Sequence, residues 1–317
     1  MAKFICKRIL SALPTLFVVL VLVFLLMRVL PGSPIYSLVD TNELTPEELE
    51  QLANEMGFNE PWWKQFGSYV IGVLTGNWGR SYFNGRDVLE NIARRMEPTV
   101  MITICSTVVT LLVGIPIGIA SATHRNSLLD YSLSSVSMVF LTIPTFWLGI
   151  MMVYLLAFKL HIFPTQGYHG IKQYGLIDAL YHVAMPSIAL GLTHVASIAR
   201  HTRSAMLGVL NEDYIRTARA KGLSERKVQF KHALKNTLSL VMTLITGSVA
   251  SMLGGSTVAE KVFNIDGVGK LAYDSLMRRD YAQEQAIVVF MALIFIVMNI
   301  LTDILYKAID PRIDFGG

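Results

Sequence analysis

The residues that come nearest to reaction chemistry are Asp266-Gly267-Val268-Gly269-Lys270, which superficially match a phosphate-binding loop. Such a loop needs a wider glycine spacing and a Ser or Thr after the lysine, and here Leu271 follows. The stretch is therefore read as no nucleotide site. Its charges, with Arg278, Arg279 and Asp280, form either an exposed rim or a solvated face. Paired aspartates at membrane depth, His-Glu-x-x-His and Gly-x-Ser-x-Gly are absent, which argues against a membrane-embedded enzyme. Cys6 and Cys105 are isolated and suggest neither a disulfide framework nor a metal site, and no Cys or His cluster suggests a bare-metal site. His194 lies well inside an apolar stretch and Asp303 near the end of another. Ionisable groups at such depth are functional candidates. The expected state of His194 is nonetheless a neutral ring bonded to a neighbouring helix, and Asp303 is expected to reach water or Lys307.

The elements that hold these residues are set by composition. The 317 residues are 53% hydrophobic and 16% charged, and the mean hydropathy is +0.49, outside the soluble range. A spanning helix takes about 20 apolar residues. Stretches free of Asp, Glu, Lys and Arg that reach this scale are 9–27, 99–123, 131–158, 182–199, 236–259 and 285–302. The expected fold class is an all-α integral membrane protein with six transmembrane helices.

A net charge of +4 and a pI near 9.0 point to membrane orientation rather than to nucleic acid, because the positive charges fall on one side. The segment 200–235 carries Arg200, Arg203, Arg216, Arg219, Lys221, Arg226, Lys227, Lys231 and Lys235 against Glu212, Asp213 and Glu225. It is expected to be cytoplasmic. Counting spans outward puts both termini in the cytoplasm. Lys3, Lys7 and Arg8 precede the first apolar run, but that run is long for a signal core and no small-residue cleavage site follows before Arg28, so it reads as a retained anchor.

Residues 28–98 then form an extracytoplasmic helical cap. A helix over 45–56 is expected with Thr45 as N-cap, Pro46 in its first turn and Gly57 closing it. A second follows Pro61 with interfacial aromatics Trp62, Trp63 and Phe66, and a third covers 88–96, after which Pro98 opens the second span. Residues 159–181 and 260–284 are two further external segments. No internal repeat or linker divides the chain, which reads as a single domain over 1–317. Pro116 and Pro144, with Gly114, Gly118, Gly247, Gly254 and Gly255, loosen helices or let them approach closely.

The most informative stretch is Asp213-Tyr214-Ile215-Arg216-Thr217-Ala218-Arg219-Ala220-Lys221-Gly222-Leu223-Ser224-Glu225-Arg226-Lys227-Val228, followed by His232-Ala233-Leu234. It reads as helix, turn, helix, with Gly222 at a left-handed C-cap and Ser224 as the next N-cap. Two basic helices joined by one tight turn make a rigid protrusion. Ala218, Ala220 and Gly222 are small enough to let another protein approach the backbone.

This stretch resembles the EAA motif of bacterial ABC importer permeases, and most closely the dipeptide and oligopeptide branch of that family. The resemblance covers nearly the whole chain. It is carried also by Arg28-Val29-Leu30-Pro31-Gly32-Ser33-Pro34, Gly57 to Pro61, Gly76-Asn77-Trp78-Gly79-Arg80-Ser81, Ile143-Pro144-Thr145-Phe146, Glu260-Lys261-Val262-Phe263, Arg279-Asp280-Tyr281 and Asp310-Pro311-Arg312, in that order. Ser33 and Asn77 stand where the family usually has Asp, Asp266 where it usually has Pro, and Leu240 where Pro is common.

The resemblance implies a heterodimer with a paralogous second permease, two ABC ATPase subunits that carry ATP and Mg, an extracytoplasmic substrate-binding protein, and no cofactor or ATP site on this chain. It implies that Tyr214, Arg216, Thr217, Ala218, Ala220, Lys221, Gly222 and Glu225 form the coupling element seated in an ATPase. Arg216, Arg219 and Lys221 then meet either acidic ATPase residues or lipid headgroups. Gly254 and Gly255 suit either a gate lining or helix packing, and Asp266, Arg278, Arg279 and Asp280 a rim that docks the binding protein. Relatives carry dipeptides, longer peptides, glutathione, nickel chelates or sugars. An ion-coupled carrier would place carboxylates near the midplane, and the apolar stretches contain no Glu.

Overall fold

Apolar runs of this length satisfy their backbone groups in a bilayer by closing them into helices. The computed structural model describes residues 2–29, 45–55 and 57–309, and helix dominates them. In chain order the helices are α1 (Ala2–Val29), α2 (Pro46–Glu55), α3 (Trp62–Thr75), α4 (Val88–Thr123), α5 (Leu128–Thr142), α6 (Thr145–Met152, continued by a π-helical turn over Val153–Lys159), α7 (Ile171–Tyr174), α8 (Leu176–Leu210), α9 (Asp213–Ala220), α10 (Glu225–Lys227, continued by a π-helical turn over Val228–Ala233), α11 (Leu234–Val262), α12 (Val268–Met277) and α13 (Tyr281–Ile309).

Among the described residues four helical stretches are long and apolar enough to cross a membrane: Leu10–Val29, Val88–Thr123, Leu176–Leu210 and Tyr281–Thr302. The pair α5 and α6 with its continuation brings the number to five if it counts as one broken span.

Three expectations are corrected here. The stretch 131–158 is not one continuous helix: the chain bends by 95° between α5 and α6. Pro144 has no N–H to give, and it drives the residue before it out of the helical region; Ile143 sits at φ −74, ψ 124. The short helix over 88–96 and the span from 99 are instead one 36-residue helix, with Pro98 and Pro116 inside it. Likewise α8 runs 35 residues, Leu176–Leu210, so helix continues past both ends of the stretch 182–199 and into the basic segment. Both differences have one cause. A charge-free window ends at the first ionised residue, whereas a helix can continue beyond the hydrocarbon with its charged residues in water.

The chain divides into two compact units, Met1–Glu97 with Gly267–Ile300 and Pro98–Asp266 with Leu301–Gly317. In the first, α1 lies along α3 through edge-to-face rings, Phe24 to Phe66 at 5.1 Å and Phe17 to Phe66 at 6.2 Å. The Arg28 guanidinium donates to Gln65, whose own amide donates to the carbonyls of Phe58 and Glu60 at 3.0 and 2.7 Å. α2 is capped as expected. The Thr45 hydroxyl accepts from the Glu48 amide, and the Glu48 carboxylate accepts from the Thr45 amide at 2.8 Å, a reciprocal capping box. The core of this unit is Val88, Ile92, Val268, Ala286 and Ile287.

In the second unit α4 and α8 touch backbone to backbone. A Cβ at Gly118 would stand 2.6 Å from the Ala199 oxygen, and one at Gly191 would stand 2.7 Å from the Ser106 oxygen. Gly114 and Gly118 are therefore sites of close approach, the small-xxx-small pattern of membrane helices. Next to them lies a core of Ile102, Val183, Met185, Leu190, Met252, Phe263 and Ile265.

Candidate functional site

The stretch singled out by its pattern folds into a capped surface helix. Ile215 and Ala218, three apart on α9, are buried against Ile119 and Ala122 of α4, Met206 and Val209 of α8, and Val228 and Ala233. The opposite face, with Arg216, Thr217 and Ala220, is exposed. A narrow buried stripe, Ile215 and Ala218, in an octamer whose other side chains are exposed seats a helix on a body without sinking it.

The end of α9 is fixed by its turn. Gly222 has φ +76, the left-handed conformation in which glycine is unstrained. The Leu223 amide donates to the Ala218 carbonyl and the Gly222 amide to the Arg219 carbonyl, at 3.4 and 2.9 Å. This pair of bonds is a Schellman motif, and Leu223 packs on the same cluster as Ala218, the apolar contact that usually accompanies it.

Polar bonds close the rest. Arg219 places Nε 2.8 Å from Glu225 Oε1 and Nη2 3.4 Å from Glu225 Oε2. Its Nη1 donates to the Leu210 carbonyl at 3.4 Å. Asn236 donates to the Tyr214 hydroxyl at 2.6 Å, tying α9 to the start of α11. Ser224 stands at the N-cap position of α10, but its side chain makes no capping bond, so Glu225 is held through Arg219 instead.

The residues expected to act together thus divide. Tyr214 and Glu225 are exposed with their polar atoms bonded to Asn236 of α11 and to Arg219, and Ala218 faces the body of this chain, so it is not a surface that admits another protein. Arg216, Thr217, Ala220, Lys221 and Gly222 are exposed, as is the neighbouring Phe230 at 54%. An apolar ring that open among Arg226, Lys227 and Lys231 was not singled out by the sequence pattern, although its place two residues before His232 made it visible.

Gly254 on α11 is exposed, and a Cβ added there would meet nothing within 4 Å, while one at Gly255 would meet only Leu190, at 3.5 Å. Asp266 is exposed and belongs to the second unit. In the first unit, Arg278 and Arg279 are exposed, and the Arg278 guanidinium lies 3.9 Å from the centroid of the Phe83 ring. Asp280 does not belong to an exposed rim. It is buried, and its carboxylate accepts from the Ser81 hydroxyl and from the amides of Tyr82 at 3.0 Å and Phe83 at 3.4 Å. Beside it, burial and then the Asp280 charge push the Tyr82 phenol up to about 12. Next along the chain, Gln283 accepts from Asn91 at 2.8 Å and donates to the Val88 carbonyl at 3.3 Å.

His194 has no hydrogen-bond partner among the described residues, contrary to the expected bond to a neighbouring helix; it is a half-buried ring on a mostly apolar stretch of α8. Ser33 and the side chains of Cys6, Leu240 and Asp303 lie outside the described residues. Two polar constellations escaped the sequence. Asp130, buried, receives both Nε and Nη2 of Arg203 at 2.8 and 2.7 Å. His169, Asp178 and His182 converge in three dimensions, although only the four-residue step from Asp178 to His182 hints at it in sequence.

Helices of this length and apolarity define a polytopic membrane protein, on which a basic capped helix stands exposed. Its family follows from the comparisons. Residues 114–315 match the binding-protein-dependent transport system inner membrane component, and residues 1–104 match the N-terminal region of the same kind of component. The oligopeptide transport system permease protein AppB of Bacillus subtilis is 37% identical over 99% of this chain and 100% of its own length. The glutathione transport system permease protein GsiC of Escherichia coli K12 is 38% identical over 99% and 100%. Among solved structures, the inward-facing methionine ABC transporter MetNI shares the fold, with a TM-score of 0.58 at 18% identity over 70% of this chain and 97% of that one. The chain belongs to the family of binding-protein-dependent transport system inner membrane components. It is a multi-pass permease subunit of a bacterial ABC importer, and ATP hydrolysis lies on separate subunits.

Proposed function

We propose that this permease moves peptides, in the range from di- and oligopeptides to glutathione, inward across the cytoplasmic membrane by alternating access. It works as one half of a heterodimer with a paralogous permease, above two ATPase subunits that hold ATP and Mg and below an extracytoplasmic substrate-binding protein. Its single permease domain, 1–317, crosses the membrane six times with both termini in the cytoplasm; α11, 29 residues long, and the broken α5–α6 pair supply the spans beyond the four continuous ones. The cap 28–98 lies outside and the segment 200–235 inside, as the run of Arg and Lys there favours. Full-length similarity to an oligopeptide and to a glutathione permease supports the substrate class.

The observation that carries the mechanism is the capped α9. Its buried stripe and its Schellman turn hold it rigid against α4 and α8, while Arg216, Thr217, Ala220, Lys221 and Gly222 stay exposed for an ATPase groove. A helix so held passes a push from below to the spans as a rigid-body switch between two packings. The test is to co-express the chain with its neighbouring genes, identify the co-purifying subunits by mass spectrometry, and measure ATP-dependent uptake of labelled di- and oligopeptides and of glutathione in proteoliposomes. A paralogous permease, ATPases and peptide uptake are expected, and Gly222→Val should cut uptake at least tenfold while ATP hydrolysis persists. Purification as a homodimer that transports without ATP would overturn the assignment.

A further inference from the structure

His169, Asp178 and His182 each bring one ligating atom within 4.8 Å of the others. Asp178 and His182 lie one turn apart on α8, so they share a face, and His169 comes from the segment before α7. His169 Nδ1 is 2.9 Å from Asp178 Oδ2, and the two imidazole centroids are 4.1 Å apart. His182 Nδ1 lies 2.9 Å from the Asp178 carbonyl oxygen and 3.4 Å from Asp178 Oδ2. The cluster has a closed base and an open side: the His182 side chain is 9% exposed, Asp178 34% and His169 46%.

We propose that these three residues form a binding site for a divalent transition metal ion of the zinc class. Two imidazoles and one carboxylate are a ligand set for Zn²⁺, with a fourth position left for water. Calcium and magnesium, which take oxygen ligands, fit it poorly. Bonds of about 2.0–2.2 Å in a tetrahedron set ligand atoms roughly 3.3 Å apart, so closing from the observed separation takes side-chain rotation rather than a new backbone.

The surrounding bonds say what the ion would do. The segment that carries His169 is already pinned where the Tyr181 hydroxyl donates to the Ile162 carbonyl at 2.7 Å and the Gly167 amide donates to the Phe263 carbonyl at 2.9 Å, just past α11. A metal bridging His169 to α8 would strengthen the tie that His169 already makes to Asp178 and stiffen the segment between them. In the topology proposed above this segment faces outward, but the binding site itself does not depend on that topology.

The test uses the assembled complex, purified through an affinity tag without histidine and stripped with chelator. Titration with Co²⁺ should give the intense visible bands of a four-coordinate ion, displaced by Zn²⁺. His169→Gln and His182→Gln should each weaken Zn²⁺ binding by more than about 100-fold, the upper end of what losing an outer-shell partner costs, while His201→Gln, at the far end of α8, leaves it unchanged. The half-exposed His169 is the safer variant for folding, and co-purification of the partner subunits verifies that each variant assembles. Equal Zn²⁺ stoichiometry and affinity in the assembled His169→Gln/His182→Gln variant, or only the weak bands of six-coordinate Co²⁺, would overturn the proposal.

Discussion

Asp280 is 3% exposed, and its carboxylate accepts from one hydroxyl and two backbone amides of a segment about 200 residues earlier in the chain. Glu225, with a side chain 59% exposed, holds the single guanidinium of Arg219 six residues away. The first arrangement is a lock: a long-range polar bond replaces water that the burial removed, and nothing is left over for a partner. The second is a brace, because it shapes a local turn at little desolvation cost and leaves the adjoining Arg216, Lys221 and Gly222 exposed. The contrast separates charged residues that build this permease from those that another subunit can use, and it moves Asp280 from the second group to the first.

The lock should show the larger stability effect. Asp280→Ala leaves the Ser81 hydroxyl and the amides of Tyr82 and Phe83 without their acceptor, and buried bonds to a charged group are worth about 1.5–3 kcal/mol each net, with a further penalty for orphaned donors. A loss of about 3 kcal/mol or more is expected, read as a large drop in the thermal-inactivation midpoint of the complex in detergent, whereas Glu225→Gln should change stability by less than about 1 kcal/mol, as exposed pairs do. Equal effects of the two substitutions would erase the distinction.

The two alanines of α9 sharpen it. Ala218 is 6% exposed in a packed cluster, so Ala218→Leu should cost about 1–3 kcal/mol through overpacking. Ala220 is exposed, and Ala220→Leu should leave stability within about 0.5 kcal/mol while lowering ATP-driven uptake, since in the coupling role proposed above the added bulk would meet the ATPase instead of the body of the chain. Thermal inactivation and proteoliposome uptake, measured on the same preparations, distinguish the two. Loss of stability in Ala220→Leu, or its absence in Ala218→Leu, would reverse the assigned faces of the helix.

What could be read from sequence follows the same division between near and far. Gly222 at its turn and Thr45 as a cap were legible because turn and cap chemistry act within a few residues, whereas Ala218, expected to admit another protein, packs on this chain. The long apolar stretches announced their helices but not the ends: ionised residues at Glu97 and Arg200 closed each window, while the backbone ran on through them. Pro144 was visible as a point of weakness, but the 95° bend it introduces depends on what the two halves pack against. Asp280 with Ser81, and Asp130 with Arg203 73 residues away, have no local signature. No spacing rule joins them, and each donor or acceptor finds its partner only when the fold removes the water.

The capping box of α2 gives the smallest expected effect and the only one set by pH. Hydrogen bonds from the Thr45 amide and then the Thr45 hydroxyl hold the Glu48 carboxyl below the usual glutamate range. A carboxylate whose pKa is lower folded than unfolded contributes stability that is present above its unfolded pKa and is lost as pH falls through the folded one. α2 should therefore fray on acidification below the ordinary glutamate range, and Glu48→Gln should blunt this pH dependence while keeping an acceptor for the Thr45 amide. Hydrogen exchange at the amides of Glu48 and Leu49 in the intact permease is the direct readout. A fraying curve that is identical in Glu48→Gln would assign the acid sensitivity to another group, and it would show that even this short-range bond acts as an exposed brace rather than a lock.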